Sequence, residues 1–235
     1  LAAGPGLVTK TGAGRFAVAK LNAGNLVING GRVQLTGSSS GGASVVNALQ
    51  VDAGAALDVG NAPLVVDYSG SSPLAAVRAA IITGVGGTEG ILSSNSTASR
   101  SVGYAEASSL TGVPGVFGVV DADAVLVRLT LKGDADLDGT VGFSDLVVLA
   151  QAYGDNSGTA SWTQGDADYN GRIEFADLVA LAQNYGASFS GLVDLTVQSS
   201  FAADWARALS MVPEPATLAL AASSMLLLSR RRGRA

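Results

Sequence analysis

Two segments of the chain carry carboxylates at alternate positions, a spacing that can bind a hard cation. Residues 133–154 read GDADLDGTVGFSDLVVLAQAYG, and residues 165–186 read GDADYNGRIEFADLVALAQNYG. The copies are offset by 32 residues and share 14 of 22 positions. Each contains the pattern D-x-D-x-[DN]-G, in which every second side chain of an extended turn faces the ion and a glycine permits the sharp bend. The sequence therefore predicts two calcium sites.

Each predicted site takes oxygen ligands from loop positions 1, 3, 5, 7 and 12, with position 7 acting through its backbone carbonyl. The ligands of the first loop are Asp134, Asp136, Asp138, Thr140 and Asp145. The ligands of the second loop are Asp166, Asp168, Asn170, Arg172 and Asp177. The alternative is a pair of turns with solvated aspartates. Duplication of the complete spacing disfavours that alternative.

Apolar residues at helical spacing follow each loop and predict one helix after it. They are Leu146, Leu149 and Tyr153 in the first copy and Leu178, Leu181 and Tyr185 in the second. Gly154 and Gly186 are expected to end these helices. Position 8 is apolar in both loops, as Val141 and Ile173. We expect these two residues to pair the loops through a short strand contact.

A calcium loop followed by one helix, present twice over residues 133–186, resembles the dockerin type I module. Position 12 is Asp rather than Glu and no helix signature precedes either loop, so the pattern departs from the EF-hand. The resemblance implies two calcium ions at the positions given above, a roughly two-helix core and a cohesin-like partner. Cellulosomal dockerins often carry small hydroxyl residues at positions 10 and 11, where this chain has Phe143-Ser144 and Phe175-Ala176. We expect both phenylalanines to pack as core, with partner contact as the alternative.

Residues 1–70 are rich in glycine, asparagine and β-branched residues and read as short strands joined by tight turns. Leu26 and Ile28 recur as Leu49 and Val51, 23 residues further on. This period predicts a parallel β-solenoid, with the edge of an antiparallel sandwich as the alternative. The sequence LVTKTGAG, which begins at Leu7, resembles the autotransporter-associated β-strand repeat. That resemblance implies a right-handed parallel β-helix displayed outside the cell.

Residues 71–132 are expected to cap the solenoid, with a short helix over residues 74–81 and a strand over residues 125–131. A linker follows the dockerin-like segment over residues 187–211. The predicted fold class is therefore mainly β, a parallel β-solenoid or β-helix fragment with its cap. A small α dockerin-like module and a C-terminal hydrophobic helix complete the prediction.

Residues 212–235 combine VPEP, an apolar stretch and four terminal arginines. The apolar residues 216–229 would form a helix of only ~21 Å, shorter than the ~30 Å hydrocarbon core of a bilayer. A buried core helix is the alternative, which the arginine cluster disfavours. This three-part design resembles the PEP-CTERM sorting signal. The resemblance implies export, transient membrane retention and processing by an exosortase-type membrane protease.

Composition excludes several classes of function. The chain has no histidine and no cysteine, so Ser–His–Asp and Cys–His catalysis, Cys/His zinc sites and disulfides are all excluded. Nine of its 19 acidic residues lie in residues 133–186 against one base, and the remaining acids show no pairing of the kind a glycosidase needs. The chain has no stripe of basic residues interleaved with aromatic residues, so the sequence does not indicate nucleic-acid binding.

The sequence thus predicts an exported, non-enzymatic cell-surface or extracellular protein that binds calcium and is processed at its C-terminal signal. The alternative function is an accessory component of a polysaccharide-degrading, cellulosome-like assembly, tethered to a cohesin through the dockerin-like module. A glycosidase is the third hypothesis, and the sequence supports it least.

Overall fold

The computed structural model describes residues 6–189 and 195–212, with ten strands and four α-helices in that part of the chain. The strands are β1 (Leu7–Lys10), β2 (Arg15–Val18), β3 (Asn22–Ile28), β4 (Gly31–Leu35), β5 (Ser44–Val51), β6 (Ala55–Asp58), β7 (Leu64–Asp67), β8 (Gly90–Leu92), β9 (Arg100–Glu106) and β10 (Ala124–Leu131). The helices are α1 (Leu74–Gly84), α2 (Phe143–Ala152), α3 (Phe175–Asn184) and α4 (Leu195–Met211).

The strands form two sheets, and the chain visits them in turn. One sheet has the order β1-β3-β5-β7-β10-β9, and the other has the order β2-β4-β6-β8. Pairs from β1 to β8 are parallel, whereas β10 is antiparallel to both β7 and β9. Leu26 pairs with Leu49 and Ile28 with Val51, so the 23-residue recurrence in the sequence is the register of a parallel strand pair.

The predicted fold class is wrong. The described chain is a mixed α/β protein with two parallel-rich sheets and four helices, not a mainly β solenoid ending in a membrane helix. Helix α1 separates β7 from β8, and β9 and β10 close the larger sheet as antiparallel strands. A strand's alternating pattern shows which face it buries but not the direction of its neighbour, so the sequence does not reveal this change.

No helix within residues 6–189 and 195–212 has both the length and the apolar character needed to cross a bilayer. The predicted hydrophobic helix at residues 216–229 lies outside the described residues. The same holds for the PEP-CTERM-like segment beyond Val212.

Several local predictions are confirmed. Helix α1 covers the predicted residues 74–81 and buries Val77 and Ile81. Strand β10 covers residues 125–131, and one helix follows each acidic loop. These elements have strong local patterns, which is why the sequence locates them.

Two buried clusters form the interior, and β10 joins them. The larger lies in the sheets and takes in Leu137, Trp162 and Tyr169 from the acidic segment. The smaller lies among α2, α3 and α4 and includes Leu131 at the end of β10. All eight residues of β10 are buried because structure covers both of its faces. The acidic segment therefore packs directly on the sheet.

Candidate metal centre

Each acidic loop gathers three carboxylates closely enough to hold one metal ion. In the first loop the ligand atoms of Asp134, Asp136 and Asp138 all lie within 4.8 Å of one another. In the second loop the same holds for Asp166, Asp168 and Asp177. The described residues thus contain two partly buried acidic clusters that could bind metal ions, one in each copy of the duplicated loop.

The position-12 carboxylates tie the start of each loop to the start of the following helix. The backbone N–H groups of Ala135 and Gly142 each donate to Asp145 at 2.8 Å. In the second loop, Asp177 accepts 2.9 Å bonds from the backbone N–H groups of Ala167 and Glu174. Asp177 belongs to its acidic cluster, whereas Asp145 is not grouped with the three carboxylates of the first loop.

The position-6 glycines bring the backbone close to position 1. The N–H of Gly139 donates to Asp134 Oδ2 at 2.9 Å, and the N–H of Gly171 donates to Asp166 Oδ2 at 3.0 Å. Gly171 has φ +77°, and a Cβ atom there would lie 2.2 Å from the carbonyl oxygen of Gly158. Only glycine fits this position, because a side chain would be strained and would also collide with backbone.

The other oxygen of each position-1 aspartate is buried without a partner. Asp134 and Asp166 are only 0% and 1% exposed, and in each the Oδ1 atom makes no hydrogen bond. A buried polar atom without a partner costs roughly 1–3 kcal/mol, and more when it is charged. The same atom is unpartnered in both copies, so a cation bound by the loop would supply the missing interaction. The residues present therefore fit a metal ion.

Burial makes these carboxylates hard to ionise without a cation. It raises the pKa of Asp145 to about 7 and that of Asp166 to about 6. It also raises the pKa of Asp134 well above the ordinary aspartate range, where repulsion from Asp145 and Asp138 adds to the effect. The pKa values of Asp138 and Asp177 are raised as well, mainly by burial. A bound cation would offset both the burial and the repulsion.

Two arginines that were not predicted from the sequence contact the loops from neighbouring elements. Arg78 of α1 approaches Asp166 Oδ2 to 3.7 Å and donates to the hydroxyl of Tyr104 and the carbonyl of Ala160, each at 3.0 Å. Arg128 of β10 donates to the carbonyl of Leu137 at 2.8 Å. Arg78 is 88 residues from its aspartate in the sequence, so no spacing signal could have identified it.

Strand β10 also supplies Thr130, whose hydroxyl donates to Asp134. Thr130 is fully buried in a strand of otherwise mostly apolar residues. A buried hydroxyl needs a hydrogen-bond partner. A threonine in an apolar strand, four residues before the loop, could therefore have suggested this contact from the sequence.

Position 4 anchors each loop to the sheet. Leu137 and Tyr169 have φ values of +62° and +66°, a region that bulky residues rarely adopt. Both side chains are buried in the larger cluster. The Tyr169 hydroxyl lies 2.8 Å from the carbonyl of Val102 and 2.7 Å from Ser101 Oγ. The unusual backbone conformation lets both side chains reach the sheet, and their packing there offsets its strain.

The expected contact between the two position-8 residues is wrong. Val141 makes its backbone hydrogen bonds with residues 186–187, and Ile173 makes its bonds with residues 154–155. Each loop exit therefore pairs with the chain that leaves the helix of the other copy. Both residues have their backbone groups fully used in this way, so they do not pair with each other.

The position-7 residues donate backbone hydrogen bonds to the position-5 side chains. The N–H of Thr140 donates to Asp138 Oδ1 at 2.6 Å, and the N–H of Arg172 donates to Asn170 Oδ1 at 2.8 Å. The role of their carbonyl oxygens as metal ligands stays a prediction.

The two position-10 phenylalanines have different surroundings. Phe143 is half-buried beneath α4, where the guanidinium of Arg207 lies 5.0 Å from the ring centroid. Phe175 is 68% exposed. The expectation that both pack as core is therefore wrong for Phe175.

No protein-family model, no curated protein and no solved structure matches the chain. The resemblances to dockerins, autotransporter repeats and PEP-CTERM signals therefore rest on the residues quoted above.

Proposed function

We propose that the chain is a non-enzymatic structural protein whose duplicated loops bind two calcium ions. The observation that carries the proposal is the buried, unpartnered Oδ1 atom of the position-1 aspartate in both loops, Asp134 and Asp166. Each ion neutralises a cluster of buried carboxylates and so stabilises the loop and the helix that follows it. Because Leu137 and Tyr169 anchor the loops in the sheet, the ions also stabilise the sheet edge.

The donor chemistry supports calcium over other metals. The predicted ligands are carboxylate, amide and backbone oxygens, and the chain has neither histidine nor cysteine. Oxygen-only sites suit calcium, magnesium and manganese rather than zinc or copper. Five protein positions per loop suit the six to eight ligands of calcium, whereas magnesium usually keeps several waters and needs few protein ligands.

Export to a calcium-rich compartment is part of the proposal. Extracellular calcium modules commonly bind at roughly 10⁻⁴–10⁻³ M, which suits a surface or secreted protein. The sequence VPEP, the apolar stretch and the terminal arginines support processing by an exosortase-type membrane protease after transient membrane retention.

A second candidate is a tethering role through a cohesin-like partner. The exposed Phe175 at the start of α3 supports it, since an exposed aromatic ring is a typical contact in a protein interface. The matching residue Phe143 lies under α4, so at most one of the two copies offers this surface.

Thermal unfolding with and without calcium tests the proposal. At ~100-fold excess over the dissociation constant, each site adds about 2.7 kcal/mol, so two sites add about 5 kcal/mol. For a chain of this size we expect a rise in Tm of roughly 10–20 °C over protein treated with EGTA. Magnesium is the control and should give a much smaller rise. Equal Tm values in calcium and in EGTA would contradict the proposal.

A further inference from the structure

A cavity of about 390 Å³ lies where the end of α1, the end of β8 and the start of β9 meet, and none of the clustered carboxylates lines it. Its volume falls within the roughly 300–1,000 Å³ of small-ligand sites. Its most buried lining residues are mainly apolar and include Ile81, Val102 and Tyr169. Polar and charged side chains make up much of the remaining lining.

Three cationic side chains line this cavity: Arg32, Arg100 and Lys132. Arg32 is paired with the buried Asp58 at 3.6 Å. Arg100 and Lys132 form no ion pair with any described carboxylate. No acidic residue occurs among the described residues that line the cavity. The cavity is therefore positive in a chain whose net charge is −5, so its charge is a local feature.

Arg100 and Lys132 belong to neighbouring strand ends, and both line the cavity. Arg100 pairs with Leu131, the residue before Lys132, and the N–H of Lys132 donates to the carbonyl of Ser99 at 2.9 Å. Arg100 is oriented by Phe189, whose carbonyl it meets at 3.3 Å and whose ring centroid lies 4.8 Å away. An anion in the cavity would make charge-assisted hydrogen bonds to the guanidinium of Arg100 and the ammonium of Lys132.

Hydroxyl groups supply the remaining polar lining. They belong to Ser93, Ser94, Ser96, Thr97 and Ser101. A hydroxyl both donates and accepts hydrogen bonds, so such a set matches a ligand that itself carries several hydroxyl groups. Apolar surface beneath them suits the carbon skeleton of such a ligand.

We propose that this cavity binds a small hydroxylated oxyanion, that is, an acidic sugar bearing a carboxylate or a phosphate. The oxyanion lies between Arg100 and Lys132, and the sugar hydroxyls meet the serine and threonine side chains. None of the predicted calcium ligands lines the cavity, and its one contact with the loops is Tyr169, which also lies in the sheet core.

Calorimetric titration of the full chain in calcium tests this site with four probes: galacturonate, glucose 6-phosphate, glucose and inorganic phosphate. We expect at least one acidic sugar to bind about tenfold more tightly than both glucose and phosphate. Tighter galacturonate binding identifies a carboxylate ligand, and tighter glucose 6-phosphate binding identifies a phosphate ligand. Lys132→Gln and Arg100→Gln should each weaken that binding about tenfold.

Lys20→Gln is the matched control, because Lys20 is exposed and does not line the cavity. It should leave binding unchanged. The Lys132 side chain has no described partner in the fold, so Lys132→Gln keeps the test valid if Arg100→Gln fails to fold. Glucose or phosphate binding as tightly as both acidic sugars, or no binding by any probe, would overturn the proposal. Wild-type affinity in Lys132→Gln would overturn it too.

Discussion

The two acidic loops share most of their sequence but differ in charge. The first has Asp138 at position 5, where the second has Asn170. The first therefore carries four carboxylates at predicted ligand positions, and the second carries three. In the second loop, Arg78 lies 3.7 Å from Asp166, so its positive charge offsets part of the negative charge of that carboxylate. Both loops therefore have the unpartnered position-1 oxygen, but they differ in the number of carboxylates and in the arginine beside it.

The surroundings of the two copies also differ, and the difference comes from neighbouring elements. Helix α4 packs against α2, where Arg207 covers Phe143 and Trp205 meets Tyr153 at a centroid distance of 5.8 Å. Phe175 at the start of α3 is exposed. Ion binding and packing are thus separate properties of one repeat, because the first depends on the loop and the second on what lies beside it.

The largest expected effect comes from removing position 1. Asp134→Ala and Asp166→Ala should each abolish one site and lower stability in excess calcium by about 2.7 kcal/mol. Asp134→Ala should cost more, because three other ligand carboxylates then repel one another without an ion, against two in the second loop. Denaturant unfolding in calcium measures both. Asp123→Ala is the control because Asp123 is exposed and lies outside both loops. Losses no larger than the control would refute the sites.

The pH dependence of calcium binding should differ between the loops. Burial holds the pKa of Asp145 at about 7 and that of Asp166 at about 6, above the ~3.9 of an unfolded chain. Calcium-free protein thus keeps these protons at pH values where the unfolded chain has already lost them. Their stabilising contribution is therefore full below about pH 4, declines above it, and is gone once the pH has risen through about 6 for Asp166 and about 7 for Asp145.

Calcium competes with those protons, so its affinity should rise in the same window. Between about pH 6 and about pH 7.5 the proton on Asp145 alone implies about tenfold tighter binding at the first loop, and the raised pKa of Asp134 adds to this rise; Asp166 implies about twofold at the second loop. Titrations of Asp166→Ala and Asp134→Ala isolate each loop. A pH-independent affinity at the first loop would show that its buried carboxylates are already ionised.

Exchanging the position-5 residues should make the loops alike. Asn170→Asp adds one carboxylate to the second loop, worth about 1 kcal/mol at ~4 Å in a water-like dielectric, or about fivefold in affinity. Asp138→Asn should weaken the first loop by a similar factor. Calorimetry on both variants measures the change. If Asn170→Asp leaves the second affinity unchanged, charge count does not set the difference between the loops.

The smallest expected effect concerns the anchor of the second loop. Tyr169→Phe removes the hydroxyl that bonds Val102 and Ser101, at a cost of about 1 kcal/mol, or roughly 2–4 °C in Tm. Leu137 has no such hydroxyl, so Leu137→Met tests packing alone and serves as the matched variant. A Tm in Tyr169→Phe equal to wild type would mean that packing, rather than hydrogen bonding, holds this loop to the sheet.

The acidic loops could be predicted from the sequence because their information is local. Alternate acids and a glycine specify the turn, and the structure brings Asp134, Asp136 and Asp138 together as the spacing implies. The ligand set itself, including calcium as the ion, stays a prediction. The helix after each loop was equally readable, since its apolar spacing extends over the whole element.

The fold class and the second layer of the site could not be predicted, because both depend on distant contacts. Arg78 reaches Asp166 only because α1 packs against the sheet. The antiparallel direction of β10 depends on its partners β7 and β9 and leaves no trace in its own alternating residues. The pairing of Val141 with residues 186–187 likewise depends on how the two copies pack.

Calorimetric titration of calcium into chelator-treated protein shows whether the two loops bind the ion. We expect two ions per chain, with the first loop binding about fivefold more tightly than the second. We also expect one remaining ion in Asp134→Ala, one in Asp166→Ala and none in the double variant. Absence of calcium binding by the folded wild-type chain, or two ions still bound by the double variant, would contradict this expectation.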